Sequence, residues 1–211
     1  MSDIKNIEQH YSLDERPFLE KVRGFCQLVD DRYSPYLTDF LNPREIQIVE
    51  ELAHYYNLKF FVSSTLESEE YGRVILAPEY YELDDDDFEI KRLEISYARQ
   101  FNKLTHPKVL GALINQLGLD RQVFGDIILD EEGRVQFSIA SHLASYAIMT
   151  ITKIGNISVT LKEVSKDDWI SNQENYSQSF VLLSSMRLDN VLATVLNLSR
   201  SNTLKLIASG K

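Results

Sequence analysis

Val123-Phe-Gly-Asp-Ile-Ile-Leu129, then Asp130-Glu-Glu-Gly133, then Arg134-Val-Gln-Phe-Ser-Ile139 is a strand, a turn and a strand. Both runs are rich in β-branched and aromatic residues, and the acidic stretch between them closes on a glycine. Working upstream, Pro107 to Leu117 carries apolar residues at helical spacing, and Glu89 to Ala98 is a further strand. Downstream, Ser141 to Lys153 is a helix, with Gly155 placed to cap it in the left-handed region, and Ile157 to Val164 is the closing strand. The order is βαββαβ.

That order is the ferredoxin-like plait, an arrangement shared by RRM modules and by many proteins with unrelated functions. It therefore fixes a fold more firmly than an activity. An RRM-like domain stacks single-stranded bases on aromatics of its two central strands. The candidates here are Tyr97 on the first strand and Phe137 on the third, whose sequence lacks the glycine and the several aromatics of the usual RNA-contacting strand.

Before the plait, a helix is expected from Asp14 to Arg32, with Pro17 in its first turn and Phe18, Val22, Phe25 and Val29 as the buried stripe. Met1 to Tyr11 is polar and expected to be loosely ordered, and Tyr33 to Leu41 reads as aromatic and turn-rich. Asn42-Pro43-Arg44-Glu45 is a helix start with its capping box, and the helix runs to Tyr56. Leu58 to Ser63 and Arg73 to Ala77 form a hairpin. The four aspartates Asp84 to Asp87 mark a solvated boundary loop, since they lack the alternate spacing and the glycine of a calcium loop. The class is α+β. Three domains are expected: 1–83, helical with a small sheet; 84–170, the plait; and 181–211, a helical hairpin.

In the last of these, Leu188, Val191, Leu192 and Val195 recur at helical spacing, Asn197-Leu198 turns the chain, and Ser199 is an N-cap for a second helix ending at Gly210. From Ser185 onward there are four cations, Arg187, Arg200, Lys205 and Lys211, against the single Asp189, in a chain of net charge −10. Such a local positive patch can hold a polyanion whatever the net charge. Arg187 and Arg200 fall near helix N-termini, where guanidinium forks and oriented N–H groups both favour phosphate.

Arg187-Leu-Asp-x-x-Leu192, Leu198-Ser-Arg200 and Leu206-Ile-x-x-Gly210 resemble the opening of an S4 domain. The strand half that follows the glycine in that family is missing, so a truncated S4 domain is expected. Together with Thr38 to Glu45, His106, Leu110 to Leu113 and Phe124 to Ile127, these motifs resemble the YlmH family, Gram-positive S4-domain proteins encoded beside cell-division genes. The resemblance implies binding to structured rRNA or tRNA on the large ribosomal subunit, in particles carrying stalled peptidyl-tRNA. It implies Arg187, Ser199, Arg200, Lys205 and Lys211 as the RNA-binding set.

Other classes find little footing. One cysteine, Cys26, excludes an internal disulfide, and no apolar run spans a membrane. No secretory leader pattern opens the chain, so a cytoplasmic protein is expected. His10, His54, His106 and His142 are scattered without ligand spacing, and packing is the expected role of His54 and His142. No phosphate loop, dinucleotide fingerprint or nucleophile elbow occurs. Gly125-Asp126 is read as shaping a turn. A non-catalytic RNA-binding protein with no cofactor, metal, membrane or small-molecule substrate is the expectation. The alternative is a cell-division adaptor using Tyr33, Tyr36, Phe40, Tyr80 and Tyr81 as a contact surface.

Overall fold

The computed structural model describes residues 11–64, 69–170 and 180–209, and among these residues the strands form two main sheets and a two-stranded hairpin. The first is small and covered by helices. α1 (Arg16–Arg32) and α2 (Pro43–Tyr55) pack on β1 (Tyr36–Leu41), β2 (Lys59–Val62) and β3 (Gly72–Ala77), which lie antiparallel in the order β1-β3-β2. Asn42 accepts the Glu45 amide at 2.9 Å and Glu45 accepts the Asn42 amide at 2.9 Å, the reciprocal box the sequence announces.

Two details differ from expectation. Tyr36–Leu41 is a strand rather than a turn, and a register break between Leu37 and Phe40 interrupts the alternation that would have marked it. On α1 the buried residues are Leu19, Val22, Cys26 and Val29, while Phe18 and Phe25 flank the stripe and Phe25 stacks on Tyr36 at 4.3 Å. Of the amino-terminal segment expected to be loose, Tyr11 alone is described, and it is buried; residues 1–10 lie outside the described residues.

The second sheet joins β4 (Ile90–Ser96), β5 (Phe124–Leu129), β6 (Val135–Ala140) and β9 (Thr160–Glu163) in the order β5-β6-β4-β9, all neighbours antiparallel. α3 (His106–Leu117) and α4 (Ser141–Thr150) cover one face. Their Val109, Leu113, Leu117, Ala144 and Ala147 meet Leu93, Ile95, Phe124, Val135, Phe137 and Ile139 in one core. α4 stops at Thr150, three residues before the expected end, at the β-branched run Thr150-Ile151-Thr152. Gly155 caps no helix. With φ +58° it opens the two-residue turn Gly155-Asn156 between β7 (Lys153–Ile154) and β8 (Ile157–Ser158), so the expected last strand is divided between two sheets.

The link between the two sheets, Asp84 to Asp87, winds into a 3-10 turn capped by Asp84, and the following Phe88 is buried. A separate unit contains the hairpin of α5 (Leu188–Val195) and α6 (Arg200–Ala208). No helix among the described residues is long and apolar enough to cross a membrane.

Candidate nucleic-acid interface

In the hairpin the cations are organised by one carboxylate. Asp189, 5% exposed in the first turn of α5, accepts Arg187 Nε at 3.1 Å and Arg200 Nε at 2.8 Å. The two guanidiniums, Arg187 first, hold its carboxyl below the usual carboxylate range. Among the described residues each arginine is engaged only through Nε, and its side chain is about two-thirds exposed. The remaining Nη donors of both forks are thus available for a second anion, already oriented by the first. Ser199 caps α6 by accepting the Asn202 amide at 3.3 Å, and Thr203, wholly buried, donates to the Ser199 carbonyl at 3.2 Å. Lys205 is exposed on α6. Gly210 and Lys211 lie outside the described residues.

The central sheet offers a different picture. Leu93, Ile95 and Tyr97 alternate to one side, as do Val135, Phe137 and Ile139, and this is the helix-covered side. Phe137 is wholly buried, edge-on to Phe124, and has no ring face open to a base. Tyr97 is half-buried against the same core and donates its hydroxyl to the Gly133 carbonyl at 2.8 Å. Both stacking candidates therefore face the protein's own interior.

The opposite face, where an RRM stacks bases, is polar and closed. Arg92, Glu94, Gln136 and Ser138 are all buried there. Arg92 pairs with the buried Glu69, whose carboxylate also accepts Ser138 Oγ at 3.2 Å. Gln136 donates to Glu94 at 3.0 Å and to the Asp168 carbonyl at 3.0 Å, and accepts the Ile170 amide at 3.0 Å. Trp169 lies over the Arg92 guanidinium at 4.1 Å. Burial pushes Glu94 up, but Gln136, Arg134 and Lys162 together hold it below its ordinary value. The chain's own 168–170 segment occupies the place of a ligand.

The two sheets meet along related polar contacts. Arg73, buried, donates to the carbonyls of Thr38 at 2.8 Å, Phe88 at 3.0 Å and Glu89 at 3.1 Å, and burial lowers its pKa. Asp126 makes no turn. It sits at the register break of β5 and accepts the Glu70 amide at 2.6 Å and the Tyr71 amide; burial raises it above the ordinary carboxylate value. Sequence reasoning missed these residues. Their one signal was a polar residue recurring between apolar ones, which reads as a solvated strand face unless distant segments cover it.

The other candidates carry less chemistry. His54, His106 and His142 are exposed rather than packed, and His10 lies outside the described residues. Burial raises the Cys26 thiol to about 11, so it stays protonated near neutrality. Among the described residues no three His, Cys, Asp or Glu converge as a metal site. The expected aromatic contact surface is largely internal: Phe40 is buried, Tyr36 stacks on Phe25, and Tyr81 bonds Asp87, leaving only the Tyr33–Tyr80 pair well exposed.

Three likenesses to known proteins accompany this geometry. Residues 84–168 match the family model described as "Putative RNA-binding domain in YlmH". The chain is 31% identical over 207 residues to the Bacillus subtilis (strain 168) protein named "Ribosome-associated protein quality control protein P2", covering 98% of this chain and 80% of that one. The solved structure titled "Cell division protein ylmH from Streptococcus pneumoniae" superposes with a TM-score of 0.69 at 41% identity, covering 77% of this chain and 98% of that one.

Proposed function

The chain belongs to the YlmH family, and from that membership we propose that it is a non-catalytic, cytoplasmic RNA-binding protein acting in a ribosome-associated role, with structured rRNA or tRNA of the large subunit as its target. The name of the Bacillus subtilis relative and the family description of residues 84–168 support the ribosome and RNA parts of this reading. The observation that carries the contact itself is the clasp of Arg187 and Arg200 on Asp189. Two half-free guanidinium forks, fixed by one buried carboxylate, present several N–H donors to phosphate oxygens with little side-chain entropy left to lose.

The hairpin is read as the opening of an S4 domain, with Ser199 shaping the α6 N-terminus and Lys205 extending the patch. The βαββαβ order and the strand order β5-β6-β4-β9 support reading the central sheet as a ferredoxin-like, RRM-like plait. Its closed polar face argues that it does not read bases as an RRM does. The cell-division adaptor reading loses its basis with the burial of Phe40 and the stacking of Tyr36 on Phe25.

The test is an anisotropy titration of a fluorescein-labelled RNA hairpin with the protein. Arg200→Glu would be a poor probe, because it places a second carboxylate beside the buried Asp189. Arg187→Gln with Arg200→Gln keeps polar contacts to Asp189 and removes two cations. The double variant is expected to weaken binding by about tenfold or more at low salt. Unchanged affinity in a folded double variant counts against the assignment.

A further inference from the structure

The acidic residues of this protein are unevenly spread, and where they are missing defines a face. Of 211 residues 32 are Asp or Glu, yet none lies in 95–119 or in 133–162. These stretches contain both helices of the central unit and the β7–β8 hairpin beside them, and α3 packs against α4 and against β7. Arg99, Lys103, Lys108 and Lys153 are exposed there, and none forms an ion pair among the described residues. The two other cations of these stretches, Arg134 and Lys162, are held by Glu94.

Between α3 and the β7–β8 turn runs a groove of about 550 Å³, its walls including Lys108, Gly111, Ala112 and Asn115 on one side and Gly155 and Asn156 on the other. Gly111 is hard to explain by folding. A glycine inside a helix costs up to about 1 kcal/mol relative to alanine, and a Cβ at Gly111 would meet no atom within 4 Å. The protein's own packing does not require it. At the approach to α3, Phe101 is 84% exposed between Arg99 and Lys103, its turn held by the Phe101 amide and the Asn102 side chain on the Ala98 carbonyl.

We propose that this helical face, and not the polar side of the central sheet, is a second RNA-contacting surface, taking unpaired nucleotides. The inference rests on the RNA-binding reading above and adds the site and the class of RNA. Lys103, Lys108 and Lys153 meet phosphates, Phe101 stacks a base, and the shallow groove with the amides of Asn115 and Asn156 admits a base edge. Charge complementarity chooses the occupant. On a protein of net charge −10, exposed lysines on elements that carry no Asp or Glu of their own attract a polyanion more than the acidic remainder of the chain does.

The experiment uses the full chain and two fluorescein-labelled probes, a blunt RNA hairpin and the same hairpin with an eight-nucleotide single-stranded tail of mixed sequence. The wild type is expected to bind the tailed probe about fivefold or more tighter at low salt. Lys103→Gln with Lys108→Gln, and separately Phe101→Ala, should erase that advantage and leave blunt-hairpin binding unchanged. Gly111→Ala should raise the melting temperature while weakening tailed binding. Gly24→Ala, in α1 and equally free of steric conflict, should stabilise without touching either affinity. Equal binding of both probes, or a tail advantage that survives in folded variants, overturns the inference. So does an acidic peptide that competes as well as RNA, since the face would then dock protein. Loss of blunt-hairpin binding on Arg187→Gln with Arg200→Gln leaves the inference standing if residual binding of the tailed probe is then lost on adding the central variants, and overturns it if that residual binding survives them. Insensitivity to the hairpin variants with sensitivity to the central ones rejects the hairpin reading alone.

Discussion

Gly125 shows how closely the two sheets approach. A Cβ there would lie 2.7 Å from the Phe40 ring and 2.9 Å from Ser138 Cβ, both in buried surroundings. Gly125→Ala is therefore expected to destabilise the protein by about 1–3 kcal/mol, measured as a lower denaturation midpoint with the same transition slope. Its neighbour Asp126 sets a pH dependence of definite sign. Because burial raises its folded pKa above 3.8, the folded state holds the proton more tightly than the unfolded chain. Its contribution to stability is full below pH 3.8 and is lost as pH rises through the folded value. Asp126→Asn, which keeps a carbonyl acceptor for the Glu70 amide, should gain in melting temperature relative to wild type between pH 4 and pH 7. A difference constant over that range would contradict the burial argument. Asp189 behaves oppositely, its contribution being present above 3.8 and lost as pH falls through a lowered value.

At the scale of the element, the central strands place each chemistry by parity. Within 92–95 and 135–139, odd residues feed the helix-covered core and even ones feed the polar seam under Trp169. Glu69→Gln removes the carboxylate that Arg92 and Ser138 share and is expected to cost about 1.5–3 kcal/mol, read by chemical denaturation; a loss below about 0.5 kcal/mol would show the seam to be solvated. Much of this was legible beforehand. The order of strands and helices, the Asn42–Glu45 box and the Ser199 cap follow from local residue patterns. Phe137 was legible too, since Val135 and Ile139 at the same parity announce a core position, and only analogy with RNA-stacking strands suggested otherwise. The polar seam was not legible. Burial of Arg92 or Gln136 depends on Glu69 and on 168–170, brought over the sheet from far along the chain. Nor was the Arg187–Asp189–Arg200 clasp, because spacing along two helices does not reveal that one carboxylate serves both.

For the molecule as a whole, charge is sorted rather than balanced. Acidic side chains dominate the total, while the two acid-free stretches of the first unit carry Arg99, Lys103, Lys108 and Lys153 outside any ion pair among the described residues, and the hairpin unit has its own clasped arginines. An acidic body that repels RNA generally and admits it at chosen places predicts binding that is weak, site-directed and strongly dependent on salt. The most direct measurement is the slope of log affinity for an RNA hairpin against log salt between 50 and 200 mM, for wild type and for Arg187→Gln with Arg200→Gln. Each phosphate contact contributes a slope of about −0.7 to −0.9, so a steep wild-type line that becomes shallower by about 1.4 to 1.8 in the double variant is expected from two such contacts. A wild-type affinity that is flat in salt, or a double variant with an unchanged slope, would contradict the claim that these arginines hold RNA.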